Sequence, residues 1–269
     1  KEIEQYYDQC EAQGANEHQI EESQKAVAQM EAIIGDPDRL CAVAKDFIHH
    51  YETRVAEGAT VAGKAMFVCM NRNIAYDLYK IIVEMRPQWS EKKISDDETA
   101  LTDKEKKELK PIEKIKLVMT RSKDDEPALY EMLGTKDDRK EFDRQFKNPK
   151  SNFKIAIVVD MWLTGFDVPS LATMYVYKPM SGHNLMQAIA RVNRVFRDKE
   201  GGLVVDYVGI ATALKQAMND YTSRDKKNYG DTDVAKVAYP KFLEKLSVCR
   251  DKFHGYDYSK FQNGTDLER

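Results

Sequence analysis

Three polar side chains on one predicted helix are the residues best suited to chemistry. On a helix that turns about 100° per residue, Gln187, Arg191 and Arg194 fall within roughly 60° of each other. The apolar residues of the segment fall on the opposite side: Leu185, Ile189, Val192 and Phe196. Two guanidinium groups one turn apart, preceded by an amide, suit contact with a polyphosphate. The pattern alone leaves open a solvent-facing helix side with no ligand.

A second candidate segment is a loop that follows an apolar strand. The run Ile155–Val159 ends at Asp160 and leads into the loop Thr164–Pro169. Doubly wound folds bind ligands at the carboxyl ends of their parallel strands. Gly165 would let a phosphate approach the backbone, and Asp167 could accept from a ribose hydroxyl or orient an arginine. An ordinary connecting loop is the competing interpretation.

One segment has the spacing of a phosphate-binding Walker A loop without its context. Gly58–Ala65 fits G-x-x-x-x-G-K but places Ala65 where a magnesium-binding hydroxyl is required. It also joins a predicted helix to a predicted strand, whereas a phosphate loop joins a strand to a helix. We interpret it as a helix-to-strand connection. The acidic runs at 96–98 and 124–126 follow no strand, so no metal site is predicted.

Composition excludes several classes of protein. The 269 residues are 42% hydrophobic and 32% charged, and no apolar run approaches the roughly eighteen residues of a membrane span. The four cysteines form no CxxC pair. We therefore expect a reduced, cytoplasmic protein with no membrane partner. A net charge of -3 gives no global attraction to nucleic acid, so any such contact must be local.

The elements that must position these residues form an α/β pattern. We predict helices over 1–60, an α/β domain over 61–210 with a partly disordered surface insertion at about 86–112, and a further helical region over 211–269. Short apolar runs separated by helical stretches predict a parallel sheet of about five strands flanked by helices. The runs are Ala65–Met70, Ile115–Thr120, Lys154–Asp160, Thr173–Tyr177 and Leu203–Val208.

The order of these segments resembles that of superfamily 2 helicases and translocases. Thr164–Pro169 resembles their motif V, Gln187–Arg194 resembles motif VI, Q/H-x-x-G/A-R-x-x-R, and Ala65–Arg72 stands where motif IV would. The wording GFDVPSL from Gly165 and HNLMQAIARVNRVF from His183 is similar to the motor (R) subunit of type I restriction enzymes.

The resemblance implies that this chain is the second of two RecA-like domains, between which ATP binds. Arg194 then matches the arginine finger, Arg191 its companion, and Gln187 the polar head of motif VI. Gly165 and Asp167 match the motif that links nucleotide to DNA. The implied contacts with the DNA backbone are Asn71, Arg72, Thr120, Arg121 and Thr164. Thr164 departs from the pattern, because many helicases have arginine at that position and threonine cannot duplicate its contact.

The resemblance also implies an activity and partners. The parent would be an ATP-dependent DNA translocase and endonuclease, with ATP and Mg²⁺ bound mainly by a domain that this sequence lacks. Its implied partners are double-stranded DNA, the methyltransferase and specificity subunits, and the first RecA-like domain. We expect the chain alone to be inactive. Two alternatives stay open: a non-catalytic RecA-like scaffold that docks partner subunits, and a helicase of another superfamily 2 branch.

Overall fold

The computed structural model places five strands in a single parallel sheet. It covers residues 17–60, 62–163, 165–180, 182–197, 199 and 201–209, and the side chains of residues 17–24, 26, 183 and 184 are not described. The strands run in the order β2-β3-β1-β4-β5, and every neighbouring pair is parallel. Their bounds are β1 Lys64–Cys69, β2 Ile115–Val118, β3 Ile155–Val158, β4 Leu171–Tyr177 and β5 Leu203–Asp206.

Seven α-helices are found among the described residues. They are α1 Glu17–Ile34, α2 Pro37–Ala56, α3 Arg72–Met85, α4 Asp103–Glu108, α5 Pro127–Met132, α6 Lys136–Lys147 and α7 Gly182–Val192. The α/β class and all five predicted strands are confirmed. The helical region predicted over 211–269 lies outside the described residues.

The strands are continuously apolar because the sheet is covered on both faces. Every residue of β1, β2, β3 and β4 is buried. Side chains that alternate along β1 enter two separate cores: Phe67 points to one face and Met66 to the other. A sheet that is dry on both sides needs no polar alternation, which is why the apolar runs were visible in the sequence.

Helices α2 and α3 cover one face of the sheet around an aromatic cluster. Phe47 from α2 meets Phe67 and Tyr175 edge-to-face, with ring centroids 5.2 and 4.7 Å apart. Each such pair contributes about 0.5–1.5 kcal/mol beyond burial alone. The entry to α2 follows local rules, because the Asp36 side chain accepts from the backbone N–H of Arg39 at 2.9 Å and proline opens the helix.

Helices α6 and α7 cover the other face together with the loop after β3. Phe146 of α6 packs on Phe153 and Trp162, with ring centroids 4.9 and 5.3 Å apart. Leu185 and Val192 of α7 are buried in the same core. This face therefore holds both segments that the sequence singled out.

The segment 86–112, for which partial disorder is predicted, contributes residues to both cores. Trp89 is buried in the aromatic cluster, 5.5 Å from the Tyr51 ring, and Ile112 is buried in the opposite core. Lys93 and Ile112 form an antiparallel bridge that closes the segment at its base. The dense charges are carried by turns and by α4, which begins with a capping box at Thr102.

Candidate nucleotide and nucleic-acid interface

The candidate residues that directly follow strands lie at the carboxyl edge of the sheet. Because all five strands are parallel, the residues that follow them share one edge. Asn71 and Arg72 follow β1, Thr120 and Arg121 follow β2, and the loop 161–169 follows β3. The sequence prediction that these segments converge at strand ends is consistent with this topology.

Alternating burial gives the loop after β3 its shape. Phe166 and Val168 are buried, whereas Gly165 and Asp167 between them are exposed. The Trp162 ring lies parallel to the Phe166 ring, with centroids 4.1 Å apart. Trp162 takes a positive φ of 69°, which costs a non-glycine residue about 1–3 kcal/mol, and its stacking offsets that strain. The aromatic stack thus holds Gly165 and Asp167 toward solvent.

Gly165 is suited to a close approach by a ligand. Its φ is 69°, in the left-handed region that favours glycine, and a Cβ built there would meet no atom within 4 Å. Its neighbour Thr164 lies outside the described residues, so its predicted contact with DNA has no structural account.

Asp167 and Arg194 form an ion pair across the loop and the end of α7. Arg194 Nη1 lies 2.8 Å from Asp167 Oδ1, and the side chains are 51% and 56% exposed. An exposed pair of this kind contributes about 0–1 kcal/mol, so it opens at little cost. Asp167 therefore contacts one of the two arginines, and its role in orienting that arginine stays a prediction.

Arg191 is fixed more firmly than Arg194. It is half-buried, and its Nε donates to the Leu163 carbonyl at 2.6 Å. Burial lowers the pKa of Arg191, the nearby charge of Arg194 lowers it further, and Asp167 opposes both effects. The two arginines are therefore electrostatic neighbours. Gln187 is half-buried on the same helix, four residues earlier.

The helix that carries these residues ends sooner than the sequence predicts. α7 ends at Val192, so Arg194 and Phe196 lie beyond it and the proposed common helical face holds only for Gln187 and Arg191. The chain instead folds back, because Phe196 and Lys199 exchange two backbone hydrogen bonds of 3.0 Å. Arg194 reaches the loop by this turn rather than by helical spacing.

Lys199 was missed by sequence reasoning. It is only 6% exposed, and its ammonium donates to the carbonyls of Pro169 at 3.2 Å, Val192 at 2.7 Å and Arg194. Burial lowers the pKa of Lys199. An isolated lysine in a charged turn carries no pattern that announces such contacts, so no sequence signal could have found it.

The residues after β1 have structural partners. Asn71 caps α3, because its Oδ1 accepts from the backbone N–H of Ile74 at 3.0 Å. The Arg72 guanidinium grips both carboxylate oxygens of Asp125, at 2.5 and 2.6 Å, and donates to the Thr120 carbonyl at 2.7 Å. These contacts join the ends of β1 and β2.

The residues after β2 are only partly engaged. Thr120 is exposed, and Arg121 donates from Nε to the Tyr130 carbonyl at 2.7 Å while its guanidinium lies 4.4 Å from the centroid of that ring. An arginine stacked on an aromatic ring keeps other N–H groups available.

Another ion pair that the sequence did not reveal spans the central strand. Lys178 follows β4 and pairs with Asp160 after β3, although β1 lies between those two strands. The pair therefore bridges the carboxyl end of β1, beside the loop 161–169. It adds a positive and a negative side chain to the candidate interface.

The near-Walker segment is a helix-to-strand connection, as predicted. It joins α2 to β1, and Gly58 and Gly63 both have positive φ values. Lys64 opens β1 and is fully buried, and its ammonium donates to the Phe153 carbonyl. Burial lowers the pKa of Lys64 well below its ordinary value, and the charge of Lys154 lowers it further.

Neither a metal-binding cluster nor a membrane-spanning helix is found in the part of the chain that the structure describes. No group of three or more His, Cys, Asp or Glu side chains there is placed to hold a metal ion. No helix in the same residues has the length and apolar content needed to cross a membrane.

Comparison with known proteins decides the family. The family model described as type I restriction enzyme subunit R domain 3 matches residues 61–209. This chain belongs to the R-subunit family of type I restriction enzymes. The matched residues include the whole sheet, the loop 161–169 and the segment that carries Arg191 and Arg194.

Relatives within the R-subunit family come from bacteria and archaea. The chain is 40% identical over 236 residues to the type I restriction enzyme HindI endonuclease subunit of Haemophilus influenzae, covering 87% of this chain and 20% of that protein. It is 40% identical over 258 residues to the putative MjaIXP endonuclease subunit of Methanocaldococcus jannaschii, covering 95% and 22%. The chain thus spans about a fifth of the length of these relatives.

A solved structure of a type I restriction enzyme subunit is also similar to this chain. A fragment of a putative HsdR subunit from Vibrio vulnificus YJ016 aligns with a TM-score of 0.44 and 14% identity, over 76% of this chain and 30% of that one.

Proposed function

We propose that this chain supplies the second RecA-like domain of an ATP-dependent DNA translocase, the motor of a type I restriction endonuclease subunit. The observation that carries the proposal is the cluster of Arg191, Arg194 and Asp167 around the exposed loop that contains Gly165. In the complete subunit, we propose that ATP and Mg²⁺ are held mainly by the first RecA-like domain. The chain alone would then neither hydrolyse ATP nor cleave DNA.

The residues present fit a triphosphate. The space over Gly165 is open, and the Arg194 side chain is half exposed and pairs with an exposed carboxylate. A triphosphate, when bound, supplies the reacting phosphoryl group. Arg194 exchanges Asp167 for phosphate oxygens and stabilises the negative charge that develops there. Arg191 stays anchored to the Leu163 carbonyl through Nε and points its remaining N–H groups at the same charge.

Asp167 and Gln187 have supporting roles in this proposal. Asp167 holds Arg194 in place until nucleotide arrives, and once released it is free to accept from a ribose hydroxyl. Gln187 presents an amide on α7, one turn before Arg191. Since an exposed ion pair is weak, a triphosphate competes for Arg194 without a large stability cost.

We propose that the carboxyl edge of the sheet holds the DNA backbone. Thr120 is exposed and Arg121 keeps N–H groups available, so both suit phosphate contacts. Asn71 and Arg72 would contribute by positioning, because they fix the ends of β1 and β2. Contacts of this kind carry no sequence information, which fits target selection by a separate specificity subunit. We propose double-stranded DNA and the methyltransferase and specificity subunits as partners.

The proposal is tested by Arg194→Ala in the complete R subunit. We expect DNA-stimulated ATP hydrolysis to lose about 10³-fold in kcat while ATP binding changes little, because an arginine finger stabilises charge that exists only in the transition state. Steady-state phosphate release and nucleotide binding would measure both quantities.

Arg144→Ala is the matched control. Arg144 is 47% exposed and pairs with Glu141 of the same helix, α6, at 2.6 Å, so it is an arginine of similar exposure outside the proposed site. Its removal should leave kcat unchanged. Wild-type turnover in Arg194→Ala would reject the arginine-finger role.

A further inference from the structure

The starting observation is the placement of Lys199 between two segments of the proposed ATP site. Its ammonium has three N–H groups, and three backbone carbonyls accept them. Pro169 belongs to the loop after β3, whereas Val192 and Arg194 belong to the end of α7 and the turn beyond it. A single buried amine therefore ties the loop that carries Asp167 to the backbone of Arg194.

The backbone of Arg194 depends on such a contact because Arg194 lies beyond the end of α7. α7 ends at Val192, and the last carbonyls of a helix have no partner within it. A cation at a helix carboxyl end is also favoured by the helix dipole. Lys199 satisfies the Val192 carbonyl and holds the Arg194 carbonyl directly.

Contacts on both sides of Lys199 restrict the backbone that carries it. Phe196 and Lys199 exchange two backbone hydrogen bonds, and Gly202 lies so close to α7 that a Cβ there would be 2.2 Å from the Val192 carbonyl oxygen. The amine is thus delivered to its three acceptors by a constrained backbone. Its position is set by the fold rather than by side-chain freedom.

We propose that Lys199 is a positioning residue for the reaction of the proposed motor: it sets the position of the Arg194 guanidinium by clamping the Arg194 backbone to the loop at Pro169. The inference rests on the proposed function, in which Arg194 faces the triphosphate. Lys199 itself touches neither nucleotide nor DNA. It acts through Arg194, and a displacement of about 1 Å at such a group costs on the order of 10²-fold in rate.

The first measurement is Lys199→Met in the complete R subunit with DNA. Methionine fills the buried space but removes all three donors. We expect kcat for ATP hydrolysis to fall tenfold or more with KM for ATP within about twofold, because the clamp matters for the transition state and not for ground-state binding.

The deciding measurement is a double-mutant cycle with Arg194→Ala. If Lys199 acts through Arg194, adding Lys199→Met to Arg194→Ala lowers kcat no further. Independent, multiplying losses would overturn the inference, as would a Lys199→Met variant with wild-type kcat. Wild-type kcat in Arg194→Ala alone would instead reject the proposed function, so the two failures are distinguishable.

Lys64→Met is the matched control for losing a buried amine. Lys64 is fully buried at the start of β1, and its ammonium donates to the Phe153 carbonyl rather than to Pro169, Val192 or Arg194. It should keep wild-type kcat; a loss equal to that of Lys199→Met would mean that any buried lysine has this effect and would overturn the inference. If Lys199→Met fails to fold, Lys199→Gln takes its place in the same cycle and the same outcomes decide.

Discussion

Two arginine–aspartate pairs that involve candidate residues are built differently. Arg72 holds both oxygens of Asp125, whose side chain is 5% exposed, and also holds a backbone carbonyl. Arg194 makes a single 2.8 Å contact with Asp167, and both side chains are more than half exposed. The Arg72–Asp125 pair fixes the ends of β1 and β2 relative to each other. The exposed Arg194–Asp167 pair leaves the arginine able to change partner.

The largest expected effect on stability comes from breaking the buried pair. Arg72→Ala leaves the Asp125 carboxylate buried without its cation, so we expect the chain to lose about 3 kcal/mol in its free energy of unfolding. Arg194→Ala should change the same quantity by no more than about 0.5 kcal/mol. Urea unfolding of the two variants gives the comparison, and equal losses would remove the distinction between the pairs.

The next largest expected effect on the free energy of unfolding concerns Gly202, which packs against Val192 near Arg194. In Gly202→Ala the new Cβ would lie 2.2 Å from the Val192 carbonyl oxygen, so the backbone must shift, and we expect a loss of about 2 kcal/mol. Gly201→Ala is the matched control, because its Cβ would be 3.0 Å from the end of the flexible Asn193 side chain. Thermal unfolding should separate the two. A tolerated Gly202→Ala would show that the backbone around Arg194 is loosely held.

The smallest expected effect is on the pH dependence of stability, and it concerns Lys64, a buried cation that is not exposed as Arg194 is. Burial holds the pKa of Lys64 well below 10.5, so between that lowered pKa and 10.5 the unfolded chain binds a proton that the folded chain does not. The wild-type free energy of unfolding therefore rises with pH across this window, and Lys64→Met lacks the contribution. We expect the free energy of unfolding of wild type to rise relative to that of the variant as the pH approaches 10.5. Urea unfolding at several pH values checks this, and parallel curves would contradict it.

What the sequence could predict follows from which interactions are local. The five strands were visible because each is a short apolar run buried on both faces, and the Asp36 cap of α2 follows a rule that spans three residues. The loop 161–169 was singled out from Gly165 after an apolar strand, and Gly165 has the positive φ that favours glycine.

What the sequence could not predict depends on contacts between distant residues. The helical pattern through Phe196 has no glycine or proline to stop it, and it ends at Val192 where the chain turns into the hairpin that returns Lys199 to its carbonyls. Likewise Arg72 and Asp125 meet across 53 residues, so nothing near Arg72 indicates that its guanidinium is occupied. The burial of Trp89 also depends on distant residues, because its ring packs against Phe47 and Tyr51.

The placement of the tryptophans gives the molecule a built-in optical label on each face of its sheet. The chain has only two, Trp89 in the aromatic cluster beside α2 and Trp162 in the loop beside Gly165. Replacing one tryptophan by phenylalanine leaves a single tryptophan, whose fluorescence reports on the other face of the sheet. Trp89→Phe would make intrinsic fluorescence a direct sensor of the loop next to Arg191 and Arg194, with no dye attached.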